Sequence, residues 1–413
     1  MTQAPGRSAP NAREFVLKLG RGLHAYGYPA HRLEEALVQV CGRLGLDGQF
    51  FSMPTALFAS FGQGDEHRTF QIRIDPGGVD LGRLARLDEV RALVAGGRMD
   101  PEEGTRRLEA ILAAADAYGP GLSTAAFALA SATACRFFGG GLREIAAAGV
   151  IGLTIGLLAL VLAQRAATAR VFEALAAAVA GFISVGAAAL APPMAPSVAT
   201  LAGLIILVPG FGLTVAFTEI ATRNLVSGTA RLAGVGLTFL VIAFGVALGT
   251  RAGGRLFGLA TSVSVEPLPQ WTLFVALLVA PSAFAVLFRA EGRDVPWVLA
   301  GTGVAFAGAR AGVFLLGPEL GAFLGATAVS AFGNAYNRIV HRPAAIPIVP
   351  GLLLLVPGSL GFQSLASLMG HDTLQGIEAA FQMILVAVAL ATGLLVANVV
   401  LPPVPLEPAL ERG

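Results

Sequence analysis

Leu204-Ile205-Ile206-Leu207-Val208-Pro209-Gly210 and Leu352-Leu353-Leu354-Leu355-Val356-Pro357-Gly358 are near copies of one another, 148 positions apart. Both lie inside long apolar runs, where Pro-Gly is costly because proline lacks an amide donor and clashes with the preceding turn. In lipid, a broken helix survives only where the freed backbone groups face protein or a water-filled cavity. A paired break at matching places in two halves of a membrane protein points to a solute site.

Composition agrees. The chain has 413 residues, 55% hydrophobic and 13% charged, with a mean hydropathy of +0.72, which excludes an ordinary water-soluble protein. Residues 1–119 hold 14 Lys/Arg and 15 Asp/Glu, whereas residues 120–413 hold 14 and 11. Neither part is a polyelectrolyte, so nucleic acid is not an expected partner. A soluble-to-membrane boundary is expected near Tyr118-Gly119-Pro120-Gly121. No signal peptide is read, because Lys18 and Arg21 interrupt the first apolar patch. Cys41 and Cys135 lie in different parts, so neither a disulfide framework nor a metal site is expected, and no cofactor is implied. Gly152-x-x-x-Gly156 and Gly321-x-x-x-Gly325 have the spacing of close helix contacts.

Residues 12–45 read as two helices with a turn at Gly27-Tyr28-Pro29. Leu33, Ala36, Leu37, Val40 and Leu44 keep the spacing of a buried stripe. Residues 49–60 are rich in Phe, and Phe70, Ile72 and Ile74 alternate with polar residues as in a half-buried strand. Gln63-Gly64-Asp65 between them reads as a hairpin loop. Helices are expected from Asp80 and from Asp100-Pro101-Glu102-Glu103, an N-cap with Pro at the first helical position and Glu at the capping-box position. His24, His31, His67, Cys41, Asp65 and Glu66 are available for chemistry but form no G-x-S-x-G, H-E-x-x-H or P-loop motif. Cys41 reads as a packed core thiol, and His31-Arg32-x-Glu34-Glu35 as a helix start.

Ten apolar spans follow, at 122–138, 143–163, 171–191, 198–220, 231–250, 271–289, 296–316, 318–337, 344–368 and 376–400, each long enough to cross ~30 Å of hydrocarbon. With residues 1–119 cytoplasmic, inside loops carry Arg165, Arg170, Arg223, Arg231, Arg289, Arg293, Arg338 and Arg342. Outside loops carry Arg143, Arg251 and Arg255. Eight against three fits the positive-inside rule, with both termini inside. The Pro-Gly breaks fall in spans four and nine, the fourth of each set of five, and an odd number of spans per repeat makes the halves antiparallel. Arg143-Glu144 before span two echoes Arg293-Asp294 before span seven. Val349-Pro350-Gly351 is a second candidate partner for the first break. The expected fold is a polytopic α-helical membrane protein, with ten transmembrane helices as two inverted five-helix repeats (120–263 and 264–413) and a small N-terminal cytosolic α+β domain (1–119).

Each break leaves carbonyls with partial negative charge and amides with partial positive charge. Carbonyls around Val208 and Val356 suit an ammonium group, and amides after Pro209-Gly210 and Pro357-Gly358 suit a carboxylate. Thr214, Thr218, Ser359 and Gln363 lie nearby in sequence. A zwitterionic amino acid needs both poles, but a carboxylate-only solute also fits the amide ends. Ionisable groups within spans are functional suspects. Glu219 lies nine residues after Gly210, ~14 Å along a helix, and reads as an interfacial partner of Arg223 or as a buried proton carrier. Arg310 needs a carbonyl, a carboxylate or water. Glu319 reads as solvated, and Arg136 as able to snorkel to the interface. Asn334, Tyr336 and Asn337 end span eight, lining an inner vestibule or anchoring the interface. Glu219, Arg310, Asn334 and Asn337 are the candidates for coupling or gating.

Several motifs together resemble the threonine/serine exporter (ThrE) family. They are Gly27-x-x-x-x-Arg32-x-Glu34, Phe137-Phe138-Gly139-Gly140-Gly141, Val208-Pro209-Gly210, Ser227-Gly228-x-x-Arg231 and Leu355-Val356-Pro357-Gly358-Ser359-x-Gly361. The resemblance implies a bacterial inner-membrane antiporter that exports threonine and serine on the proton gradient, with a hydrolase-like cytosolic domain joined to ten spans. The expected partners are a small polar solute, protons and the lipid bilayer, and a homo-oligomer is compatible. Family members linked to succinate export keep a dicarboxylate as an alternative solute. A membrane-anchored hydrolase, or an N-terminal plug on a transporter, is the remaining alternative for residues 1–119.

Overall fold

The computed structural model describes residues 8–64, 67–75, 77–162, 168, 171–258 and 265–403. Asp65 and Glu66 of the expected hairpin loop lie outside the described residues. So do the loop residues Arg165 and Arg170, and the side chain of Glu319.

Four helices and one sheet precede the apolar region. The helices are α1 (Ser8–Ala25), α2 (Ala30–Arg43), α3 (Leu81–Ala95) and α4 (Pro101–Ala113). Strands β1 (Gly48–Met53), β2 (Ala56–Phe61) and β3 (Arg68–Arg73) form an antiparallel sheet in that order. Short polar side chains start α3 and α4, because the first amides of a helix have no intrahelical acceptor. Asp80 accepts from the Arg83 amide at 2.8 Å. Asp100 accepts from the Glu102 amide at 3.0 Å. Glu103 does not close the expected capping box; it pairs with Arg106 and Arg107. The apolar stripe of α2 is buried at Leu33, Ala36, Leu37 and Val40 as its spacing requires, and Cys41 joins it. Burial pushes the Cys41 thiol up to about 12, as befits a packed thiol.

The apolar region follows as α5 (Pro120–Phe137), α6 (Leu142–Leu162), α7 (Phe172–Leu190), α8 (Pro196–Gly203), α9 (Gly210–Ala221) and α10 (Leu225–Phe257). It continues as α11 (Trp271–Leu287), α12 (Val295–Leu316), α13 (Pro318–Val340), α14 (Ala345–Leu355), α15 (Gly358–Met369) and α16 (Thr373–Val400). Among the described residues, six segments, 142–162, 172–190, 225–257, 292–315, 345–369 and 373–400, are long and apolar enough to cross a membrane. Their outer faces agree. Leu237, Leu240, Phe244 and Leu248 of α10 stand 64%, 57%, 65% and 56% exposed along one stripe. In water such a stripe would be a liability; against lipid it is the expected surface. The small-residue motifs lie at helix contacts. A Cβ on Gly152 would sit 2.6 Å from the Phe127 carbonyl, and one on Gly325 3.0 Å from that of Ala305.

Both helix breaks are present, and they share one local geometry. Pro209 precedes α9 with φ −81° and ψ 42°. Pro357 precedes α15 with φ −81° and ψ 26°. Val349-Pro350-Gly351 is not a break, since α14 runs unbroken through Pro350. A second pair of positions also matches. Glu144, at the start of α6, accepts from the amide of Ala195 just before the first broken helix, at 2.8 Å. Asp294, just before α12, accepts from Arg342 just before the second, at 2.6 Å.

The N-terminal elements are bound to the helices at two places. Leu81 N–H donates to the Phe288 carbonyl at 2.8 Å, and Tyr118 Oη to that of Ala290 at 2.7 Å. Arg289 pairs with Asp116 at 2.9 Å. The second place is Glu219. The apolar core is continuous across this junction, from Phe15 and Leu84 to Val298, Tyr336 and Val349.

Candidate functional site: paired helix breaks beside a polar cavity

The two breaks touch. A Cβ on Gly210 would lie 3.0 Å from the Gly358 amide nitrogen and 3.0 Å from Val356 Cγ2. A Cβ on Gly358 would lie 2.6 Å from Val208 Cγ1. Only glycine lets two interrupted helices approach this closely. At the first break the Gly210 amide donates to the Val208 carbonyl at 2.8 Å. Val208, Gly210, Pro357 and Gly358 are buried, and Pro209, Val356 and Ser359 half-buried.

A cavity of about 440 Å³ lies where α9, α13, α14 and α16 meet α2 and α3. On the membrane side, α9 lines it with Phe211, Thr214, Val215 and Thr218, the face that follows the first break. Ile348, Val349 and Leu352 of α14 lead towards the second. Asn334 and Asn337 of α13 and Asn398 of α16 complete that wall. Asn334 Nδ2 donates to Asn398 Oδ1 at 3.0 Å, and Asn337 Nδ2 to the Arg342 carbonyl at 2.8 Å. Tyr336 does not share their place. It is fully buried, with its hydroxyl 3.2 Å from Asp294.

Glu219 departs from the first of its two expected settings and has the burial of the second. It is not an interfacial mate of Arg223; it is fully buried, and Arg223 is exposed. Its carboxylate takes Arg231 in a fork, Nε to Oε2 at 3.0 Å and Nη2 to Oε1 at 2.9 Å. Ser227 Oγ donates at 3.0 Å. The fourth donor is the Ala30 amide at 3.0 Å, the first residue of α2. One carboxylate therefore ties the half-helix after the break to the next helix and to the N-terminal region. Arg223 takes the left-handed turn between helices, with φ 66°, which points α10 back so that Arg231 returns to Glu219. The four-residue spacing favoured Arg223, but the chain reverses after Ala221.

His31, beside this junction, has Nδ1 buried with no hydrogen-bond partner among the described residues. Burial pushes its pKa down to about 4, with the neighbouring Arg32 charge adding to the effect. The neutral ring is therefore the form the docked region holds. Its ordinary pKa is 6.5, so between about 6.5 and 4 an undocked or unfolded chain binds more protons, and stability falls as the pH falls. We expect the melting temperature to drop on acidification through this window, and His31→Gln to flatten that drop. An unchanged slope in the variant would assign the acid sensitivity elsewhere.

Other expected site residues lie apart. Arg310 is exposed on α12 and Gln363 exposed on α15, so neither joins the cavity. Arg136 binds the Thr272 hydroxyl at 2.6 Å. The charged residues of the cavity, on α2 and α3, are absent from the expected site, although Arg32 stands in a quoted motif. Asn398 had one signal, as the lone asparagine of the last apolar span. Arg231 also had one, in Ser227-Gly228-x-x-Arg231.

Lipid-facing helices interrupted in pairs around a polar cavity define a multi-pass membrane protein of transporter type. The comparisons with known proteins name the family. A family model described as "Putative threonine/serine exporter" matches residues 14–253, and a second, "Threonine/Serine exporter, ThrE", matches residues 273–400. The chain belongs to the threonine/serine exporter family. Among curated proteins it is similar to pheromone-regulated membrane protein 10 of Pichia sorbitophila, 27% identical over 90% of this chain and 38% of that protein. The Saccharomyces cerevisiae protein of the same name is 26% identical over 87% of this chain and 48% of that one. Uncharacterized protein C7D4.12c of Schizosaccharomyces pombe is 26% identical over 85% and 48%. The chain spans about half or less of the length of these relatives. No solved structure matches.

Proposed function

We propose that this protein exports small hydroxy amino acids, threonine and serine, from the cytoplasm by proton antiport. The observation that carries the reading is the contact between Gly210 and Gly358, with the polar cavity abutting both broken helices. Family membership supports export. Ten spans in two inverted repeats, 120–263 and 264–413, would rock about this contact. The matched proline geometries and the matched Glu144 and Asp294 contacts support that symmetry. The arginine distribution supports an N-terminal region, 1–119, and a C-terminus on the cytoplasmic side, and the membrane we infer from the family resemblance is a bacterial inner membrane. Glu219 is the carboxylate best placed to couple, because it lies on the half-helix that begins at the first break. Proteoliposomes loaded with labelled L-threonine or succinate test this. Threonine efflux is expected to follow an imposed pH gradient and to collapse with a protonophore. Threonine efflux no faster than from protein-free vesicles would overturn the reading, and succinate efflux alone would replace the solute.

A further inference from the structure

The two walls of the cavity differ in charge. Among the described residues, every formally charged one in its lining comes from the N-terminal helices: Arg32 and Glu35 on α2, Asp88 and Arg91 on α3. The described residues of the membrane wall offer hydroxyls, amides and apolar groups. The four charges are two of each sign. They sit at two depths, with the side chains of Asp88 and Arg91 11% and 15% exposed and those of Arg32 and Glu35 31% and 59% exposed at the rim. Arg91 sets both Nε and Nη2 on Oδ1 of Asp88, each at 2.7 Å. Oδ2 is left without a hydrogen bond among the described residues.

A lining of both signs and no net charge suits a solute that is itself neutral but dipolar. A dicarboxylate would bring two negative charges against Asp88 and Glu35, and an unpaired charge in a partly dry cavity is costly. We propose that the N-terminal region supplies the ionic half of the solute site. Asp88 takes the ammonium group and Arg91 the carboxylate of a zwitterionic amino acid, and the hydroxyls and amides of the membrane wall meet its polar side chain. This rests on the export reading and deepens it: the N-terminal region is part of the recognition site, not a separate enzyme. It also gives a means of release, since Asp88 and Arg91 re-form their own pair as the solute moves towards the uncharged wall.

The test is binding to the full-length protein in nanodiscs. The probes are L-threonine, N-acetyl-L-threonine, which lacks the ammonium charge, and 2-amino-1,3-butanediol, which lacks the carboxylate. Loss of one charge-assisted contact corresponds to about tenfold in affinity or more. Asp88→Asn is expected to weaken L-threonine by that factor and N-acetyl-L-threonine by less than about twofold. Arg91→Gln is expected to weaken L-threonine similarly and the aminodiol little. Gln39→Cys places a thiol on the exposed edge of the same cavity, while Cys41 and Cys135 are buried. L-Threonine is expected to slow its alkylation and succinate not to. The Gln39→Cys measurement decides alone if the charge variants fail to fold. Binding of L-threonine within about twofold of wild type in both charge variants, or no protection of Gln39→Cys, overturns the proposal. Wild-type efflux of threonine separates the two levels: if it persists while these results fail, only the ionic assignment falls, and if it is missing the export reading falls too.

Discussion

Gly358→Leu and Gly210→Leu are each expected to abolish solute efflux while the protein still reaches the membrane. The two positions are where the interrupted helices meet. A single added Cβ on Gly358 would stand 2.6 Å from Val208 Cγ1, and one on Gly210 3.0 Å from the Gly358 nitrogen. Both neighbours are constrained, because Val208 is buried and the nitrogen belongs to the backbone. Leucine adds three more carbons to a contact with no room for the first. Overpacking a close-packed site costs about 1–3 kcal/mol and shifts backbone, and here the shift falls on the joint between the half-helices. Gly358→Ala, one methyl, is expected to slow efflux rather than stop it. Tracer efflux from vesicles, normalised to the protein found in the membrane, reads both variants. Wild-type rates in both leucine variants would mean that the solute path avoids the breaks.

The second large effect is expected from Glu219→Ala. Removing the carboxylate strips Arg231 of its forked partner and leaves the Ala30 amide and the Ser227 hydroxyl without an acceptor. Deleting one member of a fully buried ion pair costs about 3–5 kcal/mol; the Arg231 side chain is 27% exposed, so water offsets part of that cost here. The loss falls on the junction between α9, α10 and α2, so the N-terminal region should loosen from the helices. Faster chymotryptic cleavage after Tyr118, in the segment between α4 and α5, and a lower melting temperature are the expected signs. Glu219→Gln keeps an acceptor for the Ala30 amide but loses the charge, and is expected to fall between wild type and alanine. An unchanged cleavage rate in Glu219→Ala would leave Arg289, Asp116 and the 288–290 segment as the attachment that matters. If Glu219 also carries the coupling proton, Glu219→Gln should uncouple efflux from the pH gradient without halting downhill movement.

Local chemistry is what the chain declares residue by residue. The stripe of α2, the Asp80 and Asp100 caps and the apolar stretches all depend on neighbours within a few positions, so spacing alone predicts them. The Pro-Gly steps belong to the same class only in part: the missing amide weakens the helix locally, but α14 runs unbroken through Pro350-Gly351, so packing also decides where a break falls. The choice of Pro357 over Pro350 was also local, resting on the apolar flank that matches the first break. Glu219 shows the opposite case: its spacing to Arg223 fits a helix pair, but the reversal after Ala221 delivers Arg231 instead.

By itself, then, the sequence determined a membrane-embedded helical chain with two matched interruptions and a polar N-terminal region, because hydropathy and backbone rigidity act over short range. Tertiary structure decided that the interruptions press against each other, that Glu219 holds the start of α2, and that α2 and α3 bring the charge, among the described residues, to a cavity whose other wall is uncharged. Those facts join residues more than a hundred positions apart. No periodicity or motif encodes such a meeting; only the packing of the whole chain sets it.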